Sequence, residues 1–575
     1  MASNFSNVQA SKLYINLLNN SSQQKNTQNY IEQLGQNITM KKIFPIVIAT
    51  ALAFGVILGF LISARSTQSM LGDISSKLQG SNAASNKVTE LLNIIDRAYV
   101  DTIDISQVNE AVIITALNQL DPHSSYIPKE DLEAANEQLE GSFSGIGVQF
   151  NIQEDTIYIV DVISGGPSER AGLMAGDRII EVNDTLFVGK DINNEKVFKK
   201  LRGPKGSDVR LGIIRRGTPE TLYFDITRED IPIHSVDIAY MITPTTGFIA
   251  VNSFGANTYS EFLTGLARLK AEGVQNLIVD LRGNSGGYLD AAVNMINEFL
   301  DRNELIVYVE GRAYPRYDIK ATGNGSFKNT PLIVLIDEFS GSASEIFAGA
   351  MQDNDRGTII GRRSFGKGLV QQPFNFSDGS QARLTIARYY TPSGRCIQKP
   401  YTRGKAEDYE TDIWNRYLQG EFFNADSIHL ADSIEYYTKN GRIVYGGGGI
   451  MPDIFVPRDT SNITPYFTKL VNKALIYKFA LKYTEAHRTE LKKHTDWQSL
   501  NAYLNTLGLF DQLVAYAEKE NITGSNKDKN ISRTLINEHI NSYIIRNILG
   551  DEGFYPLLYT TDETVLKALS TLNTK

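Results

Sequence analysis

Leu332-Ile333-Val334-Leu335-Ile336-Asp337-Glu338-Phe339-Ser340-Gly341-Ser342-Ala343-Ser344-Glu345-Ile346-Phe347-Ala348-Gly349-Ala350-Met351 is the most informative stretch of the 575-residue chain. Its opening apolar run has the length and β-branched content of a strand buried on both faces. Three serines on alternate positions follow, and then an apolar, small-residue segment that reads as a helix. A serine at such a strand-to-helix turn sits at the helix N-terminus, where backbone N–H groups and the helix dipole favour a developing oxyanion. Serine also caps helices for purely structural reasons, so Ser340, Ser342 and Ser344 alone establish no chemistry.

A nucleophilic serine needs a base. The chain has 6 histidines, and along the sequence only His234 lies near this α/β region, at its entrance. No H-E-x-x-H pattern is present, which disfavours a metalloprotease. Downstream, Ser364-Phe365-Gly366-Lys367-Gly368-Leu369-Val370-Gln371 sets Lys367 between glycines, in a loop whose backbone can pack closely. A lysine can deprotonate a serine only if desolvation or a nearby cation lowers its pKa. That is the Ser–Lys variant of the catalytic triad. The competing phosphate-loop reading lacks the Walker pattern, because Gly368 follows Lys367 where Ser or Thr is required.

Around this centre, strands alternate with helices from about Ile238 to Arg395. The apolar runs Gly247 to Val251, Asn276 to Leu281 and Leu332 to Asp337 each end at a loop, where α/β sheets place their sites. From Gly141 to Arg228 the texture is one of short strands and glycine turns, and from Asn82 to Gln138 it is helical. Residues 401–445 are polar and Tyr-rich, an expected irregular excursion, closed by the turn Gly446 to Gly449. After Thr460 the chain reads as helical to its end, with no legible chemistry.

Six ordered motifs carry a family resemblance: Leu120 to Tyr126, Asp280 to Gly287, Ser340 to Glu345, Phe365 to Gln371, Tyr390 to Arg395, and Gly449 to Ile454. Over residues 85–457 the chain resembles the C-terminal (tail-specific) processing peptidases of the S41 serine protease family. Gly341 stands where many members have Ala. The resemblance implies Ser342 as nucleophile, Lys367 as general base and Gln371 as the residue orienting the lysine, with Ser344 and Ser340 as alternative nucleophiles. It implies an oxyanion hole from the N–H of Ala343 and one from the Gly286-Gly287 turn, and no metal or organic cofactor. Residues 141–228 resemble a protease-associated PDZ domain. In that reading Ser144-Gly145-Ile146-Gly147 forms a nest of N–H groups for a substrate's terminal carboxylate. The peptide, with a free and apolar C-terminus, adds as a strand to the sheet edge.

The expected architecture is a multidomain α+β chain. A disordered extension (1–39) precedes a transmembrane anchor or signal segment (40–65) and a helical N-terminal domain (82–140). The PDZ-like β-rich domain (141–228) and an α/β crotonase-like protease core (235–400) follow. An insertion returns to the core (401–457), and a helical C-terminal domain (460–575) ends the chain. Ile43 to Ser63 carries no charge and is long enough to cross about 30 Å of hydrocarbon. Lys41 and Lys42 before it should stay cytoplasmic, giving a single-pass bacterial inner-membrane protein with its catalytic part in the periplasm. A cleaved signal and a soluble periplasmic enzyme is the alternative, and Met40 would itself open a normal export signal. The net charge of −8 gives no basic footprint, so nucleic acid is not an expected partner. The single cysteine, Cys396, excludes an intrachain disulfide. Residues 460–575 leave homo-oligomerisation or adaptor docking open. Two rival classes stand beside the protease: a non-catalytic PDZ scaffold, and an acyl-CoA enzyme of the crotonase kind, which would need neither the Ser–Lys pair nor a PDZ module.

Overall fold

The computed structural model describes residues 85–573, except 154, 216 and 430–433. The extension 1–39 and the apolar run 43–63 lie outside the described residues. Among the described residues, no helix is long and apolar enough to cross a membrane. The chain divides into two units, Met1–Asn109 and Glu110–Lys575. In the first, the helix Ser85–Ala98 leaves Val88, Leu91 and Ile94 exposed.

At the centre of the second unit is a six-stranded sheet in the order Val236–Met241, Thr246–Val251, Asn276–Asp280, Leu332–Ile336, Thr358–Gly361, Ile454–Phe455. The first pair is antiparallel and every later pair is parallel. Successive side chains point to opposite faces, so both faces must be covered. Ile249, Val251, Val279, Val334 and Ile336 pack beneath the helices Thr258–Ala271, Leu289–Ile296 and Ala343–Asp353. Their neighbours Phe248, Ala250, Ile278, Ile333 and Leu335 face the other way, onto Tyr559, Val565 and Ala568 near the C-terminus.

The remaining layers dock around this sheet. A five-stranded antiparallel sheet joins Ser125–Ile127, Gln381–Tyr390, Leu305–Glu310 and Tyr317–Lys320, with Leu369–Asn375 also paired to Gln381–Tyr390. The β-rich module has its own core (Ile157, Ile159, Ile179, Leu211, Ile213) and the order Val148–Gln153, Thr156–Val162, Arg178–Val182, Asp208–Ile214, Leu222–Thr227. Residues 401–445 hold more regular structure than their polar composition suggests: helices Ala406–Glu410 and Asp412–Leu418, then a hairpin of Glu435–Tyr437 with Ile443–Tyr445. From Pro465 the chain is helical and closes a separate core around Leu470, Phe479, Leu513, Ile540 and Ile544.

Candidate active site

The strand Leu332–Ile336 is wholly buried, and the helix Ala343–Asp353 starts one tight turn later. Ser342 is that helix's N-cap residue, with φ 55° and ψ −112°. Non-glycine residues rarely adopt such a backbone, and surrounding structure must hold them there. Several bonds do so. Gly341 N–H donates to Asn284 O (3.0 Å) and Ser340 N–H to Asp337 O (3.0 Å). Ser342 N–H donates to Glu345 Oε2 (2.8 Å), one arm of a capping box. The three serines are not equivalent. Ser340 Oγ donates to Leu281 O and Ser344 Oγ to Asn284 O, each at 2.8 Å, and both residues are fully buried. Ser342 is half-buried, and among the described residues its hydroxyl donates to no acceptor.

Glu345 joins the serine turn to the lysine loop. Its carboxylate, fully buried, accepts from Ser364 Oγ (2.5 Å), Gly366 N–H (2.7 Å) and Lys367 N–H (2.8 Å) as well as from Ser342. Burial pushes its pKa up while the donors hold it down. Further bonds clamp the lysine loop: Phe365 N–H to Ser340 O, Gly368 N–H to Gln398 Oε1, and Ile450 N–H to Ser364 Oγ. Arg416 donates to the carbonyls of Arg363 and Ser364 while pairing with Glu421, which locks the 401–445 insertion onto the same loop.

Lys367 itself is half-buried, and its ammonium makes no hydrogen bond or ion pair with another described residue. Burial lowers its pKa below the ordinary lysine value and Arg383 adds to that, while Glu345 and Asp121 oppose it. Gln371 lies at a β-bulge, and its Nε2 donates to Thr385 Oγ1 (3.2 Å), which in turn donates to Asp121 Oδ1 (2.9 Å). The contact made by Gln371 is therefore with Thr385, where the resemblance implied the lysine.

The histidines fall differently from their sequence positions. His234 is exposed and paired with Glu261. His123, far upstream, lies beside the lysine loop, its Nε2 3.0 Å from Tyr409 Oη. Burial, reinforced by Lys367, lowers its pKa to about 4, so it is neutral at physiological pH. The sequence reading did not single out His123; the only signal that could have found it is its place inside the Leu120 to Tyr126 motif.

The Gly286-Gly287 turn abuts Ser342. A Cβ on Gly286 would lie 2.7 Å from Ser342 Cβ and 3.0 Å from Ala343 N, and one on Gly287 would lie 2.1 Å from Phe254 O. Both have positive φ, so no other residue fits. Gly286 N–H is engaged by Asn284 Oδ1 (2.9 Å). The N–H groups of Gly287 and Ala343 meet no acceptor among the described residues, which leaves them free to receive an oxyanion.

In the β-rich module, Ser144 and Gly145 end a strand paired with Glu229–Pro232. The carbonyls of Ile146 and Gly147 accept from Ser168 and Ile163, and their N–H groups meet no acceptor among the described residues. Val148–Gln153 is an edge strand, and Phe150 packs edge-on against Phe198 of the helix Asn194–Leu201 (5.5 Å). An open strand edge beside a helix, ending in a loop of free N–H groups, suits an extended peptide.

A serine turn, a partly desolvated lysine and a peptide-binding module define a serine peptidase. Residues 245–411 match the sequence model of peptidase family S41, 144–226 that of the PDZ domain, and 466–550 a family of unknown function, DUF8443. The chain is 32% identical over 398 residues to the carboxy-terminal processing protease CtpB of Bacillus subtilis, covering 68% of this chain and 79% of that protein. It is 33% identical over 330 residues to a probable CtpA-like serine protease of Staphylococcus aureus, covering 56% and 65%. A solved photosystem II D1 C-terminal processing protease aligns over 64% of this chain and 92% of its own, with 26% identity and a TM-score of 0.33. The chain belongs to peptidase family S41, as a carboxy-terminal processing serine protease with a PDZ domain.

Proposed function

We propose that the protein is an endopeptidase working through a Ser342–Lys367 dyad, with its PDZ domain capturing substrates by their C-terminal carboxylate. In its neutral form, which burial favours, Lys367 takes the Ser342 proton as Oγ attacks the scissile carbonyl. The N–H groups of Ala343 and Gly287 receive the oxyanion. The lysine returns the proton to the leaving amine, and a water activated by the same lysine then releases the acyl group. The observation that carries this reading is the contrast among the three serines: Ser340 and Ser344 spend their protons on backbone carbonyls, and Ser342 keeps its own. Gln371 contributes indirectly, through the Thr385–Asp121 chain at the edge of the lysine site.

An unstructured substrate with a free apolar C-terminus tests both halves. Ser342→Ala and Lys367→Ala each lower turnover by about 10⁴-fold or more; undiminished cleavage in either sinks the mechanism. Amidating the substrate's C-terminus removes the preference for it, and an unchanged rate would dismiss the carboxylate-binding role of Ser144 to Gly147. We further propose that Ile43 to Ser63 anchors the enzyme in a bacterial inner membrane with the catalytic part outside the cytoplasm. Carbonate-resistant membrane fractionation checks it, and release of the full-length chain by carbonate would rule it out.

A further inference from the structure

The C-terminal helices hold no member of the proposed dyad, yet one residue among them reaches the loop that turns beside Ser342. Arg282 Nη1 donates to both carboxylate oxygens of Asp562, at 3.0 and 2.7 Å. The rest of the same guanidinium is held by Asp280, with Nε at 2.9 Å and Nη2 at 2.7 Å. Side-chain exposures of 5%, 16% and 23% for Asp280, Arg282 and Asp562 put this clamp largely out of water, where such pairs are least screened. Asp562 is fixed in turn. Its Oδ1 accepts from the N–H groups of Thr564 and Val565, which caps the helix Glu563–Asn573, and Val565 and Ala568 of that helix are buried against the sheet.

Beyond Arg282 the loop has little slack. Gly283 N–H donates to Asp337, Asn284 O accepts from Gly341 N–H and Ser344 Oγ, and Asn284 Oδ1 holds Gly286 N–H. These bonds tie residues 283–286 to the serine turn, so Arg282 stands at the head of one hydrogen-bonded unit that includes the Gly286-Gly287 turn. We propose that Asp562 is a positioning residue for peptide hydrolysis: by clamping Arg282 it keeps the Gly286-Gly287 turn in place against Ser342, and the C-terminal helices thereby support the active site. The proposal rests on the oxyanion role assigned above to Gly287. Misplacing a reacting or stabilising group by about 1 Å costs about 100-fold.

The test uses the full chain. Asp562→Asn retains an oxygen for the helix cap and loses the charge that Arg282 needs; asparagine caps about as well as aspartate. Asp562→Glu keeps the charge. Val565→Ala loosens the same helix without touching Arg282. On the free-C-terminus substrate, Asp562→Asn is expected to lower kcat about 10- to 100-fold with KM unchanged, and Asp562→Glu to recover most of it. Val565→Ala is expected to lower Tm while leaving kcat near wild type. A wild-type kcat in Asp562→Asn overturns the proposal, as does an equal kcat loss in Val565→Ala. Undiminished cleavage by Ser342→Ala would overturn the dyad and this proposal together, so the variant that stays active identifies which reading failed.

Discussion

Ser342 and Lys367 are each held in a state that a free residue would avoid. Ser342 carries φ 55°, and Lys367 a pKa lowered by burial. The second has a pH signature. A lysine base must be neutral, so kcat/KM should rise with pH through a value below lysine's ordinary 10.5. His123, with its pKa near 4, should add no limb around 6.5; a limb there that disappears in His123→Gln would transfer the base to histidine. The same shift bears on stability. Between the folded pKa of Lys367 and 10.5 the unfolded chain binds more protons, so this group's contribution to stability rises with pH across that window. Lys367→Met should therefore abolish turnover without lowering Tm at neutral pH, and differential scanning calorimetry checks it.

Among the loops and helices, the family motifs acquire distinct physical tasks. Leu120 to Tyr126 supplies Asp121, which reaches Gln371 through Thr385. Tyr390 to Arg395 ends in a fully buried arginine that pairs with Asp353 at the far end of the Ser342 helix (2.8 Å). Gly449 to Ile454 backs Ser364. Glu345 is the junction of the serine turn and the lysine loop, and Glu345→Gln would set an amide NH₂ against donors. We expect about 3 kcal/mol or more of lost stability, since hydrogen bonds to a buried charge are among the costlier ones to break. Activity should fall with it, as urea unfolding and turnover of the same sample would show; wild-type values for both would mean the loops are held independently. The strand, the serine turn and the glycine-flanked lysine were legible because each is a local pattern. The part played by Glu345 was not, because a glutamate three residues past a serine reads as half of a capping box until Gly366 and Lys367 are seen to share it.

Across the whole molecule, the C-terminal helices cover one face of the central sheet. Without them Phe248, Ile278, Ile333, Leu335 and Ile360, all at most 1% exposed, would meet water. Each such side chain is worth about 1.5–3 kcal/mol when fully buried. A chain ending before Pro465 should accordingly aggregate or fail to fold, as size-exclusion chromatography would reveal; a monodisperse, active truncation would refute that. The unbroken apolar run Leu332 to Ile336 implied a fully buried strand, but nothing in the sequence said which segment covers its second face. Local patterns were readable from the chain: a serine turn between strand and helix, a lysine in a tight glycine loop, a glycine loop opening the β-rich module, and an order of motifs that pointed to the family. Folding decided which serine keeps its proton, that Gly287 rather than Gly286 has a free N–H, and that Gln371, His123 and Asp562 stand where they do. Those depend on partners up to hundreds of positions away, as with Arg282 and Asp562, whose carboxylate and guanidinium meet only once the last helix packs on the sheet.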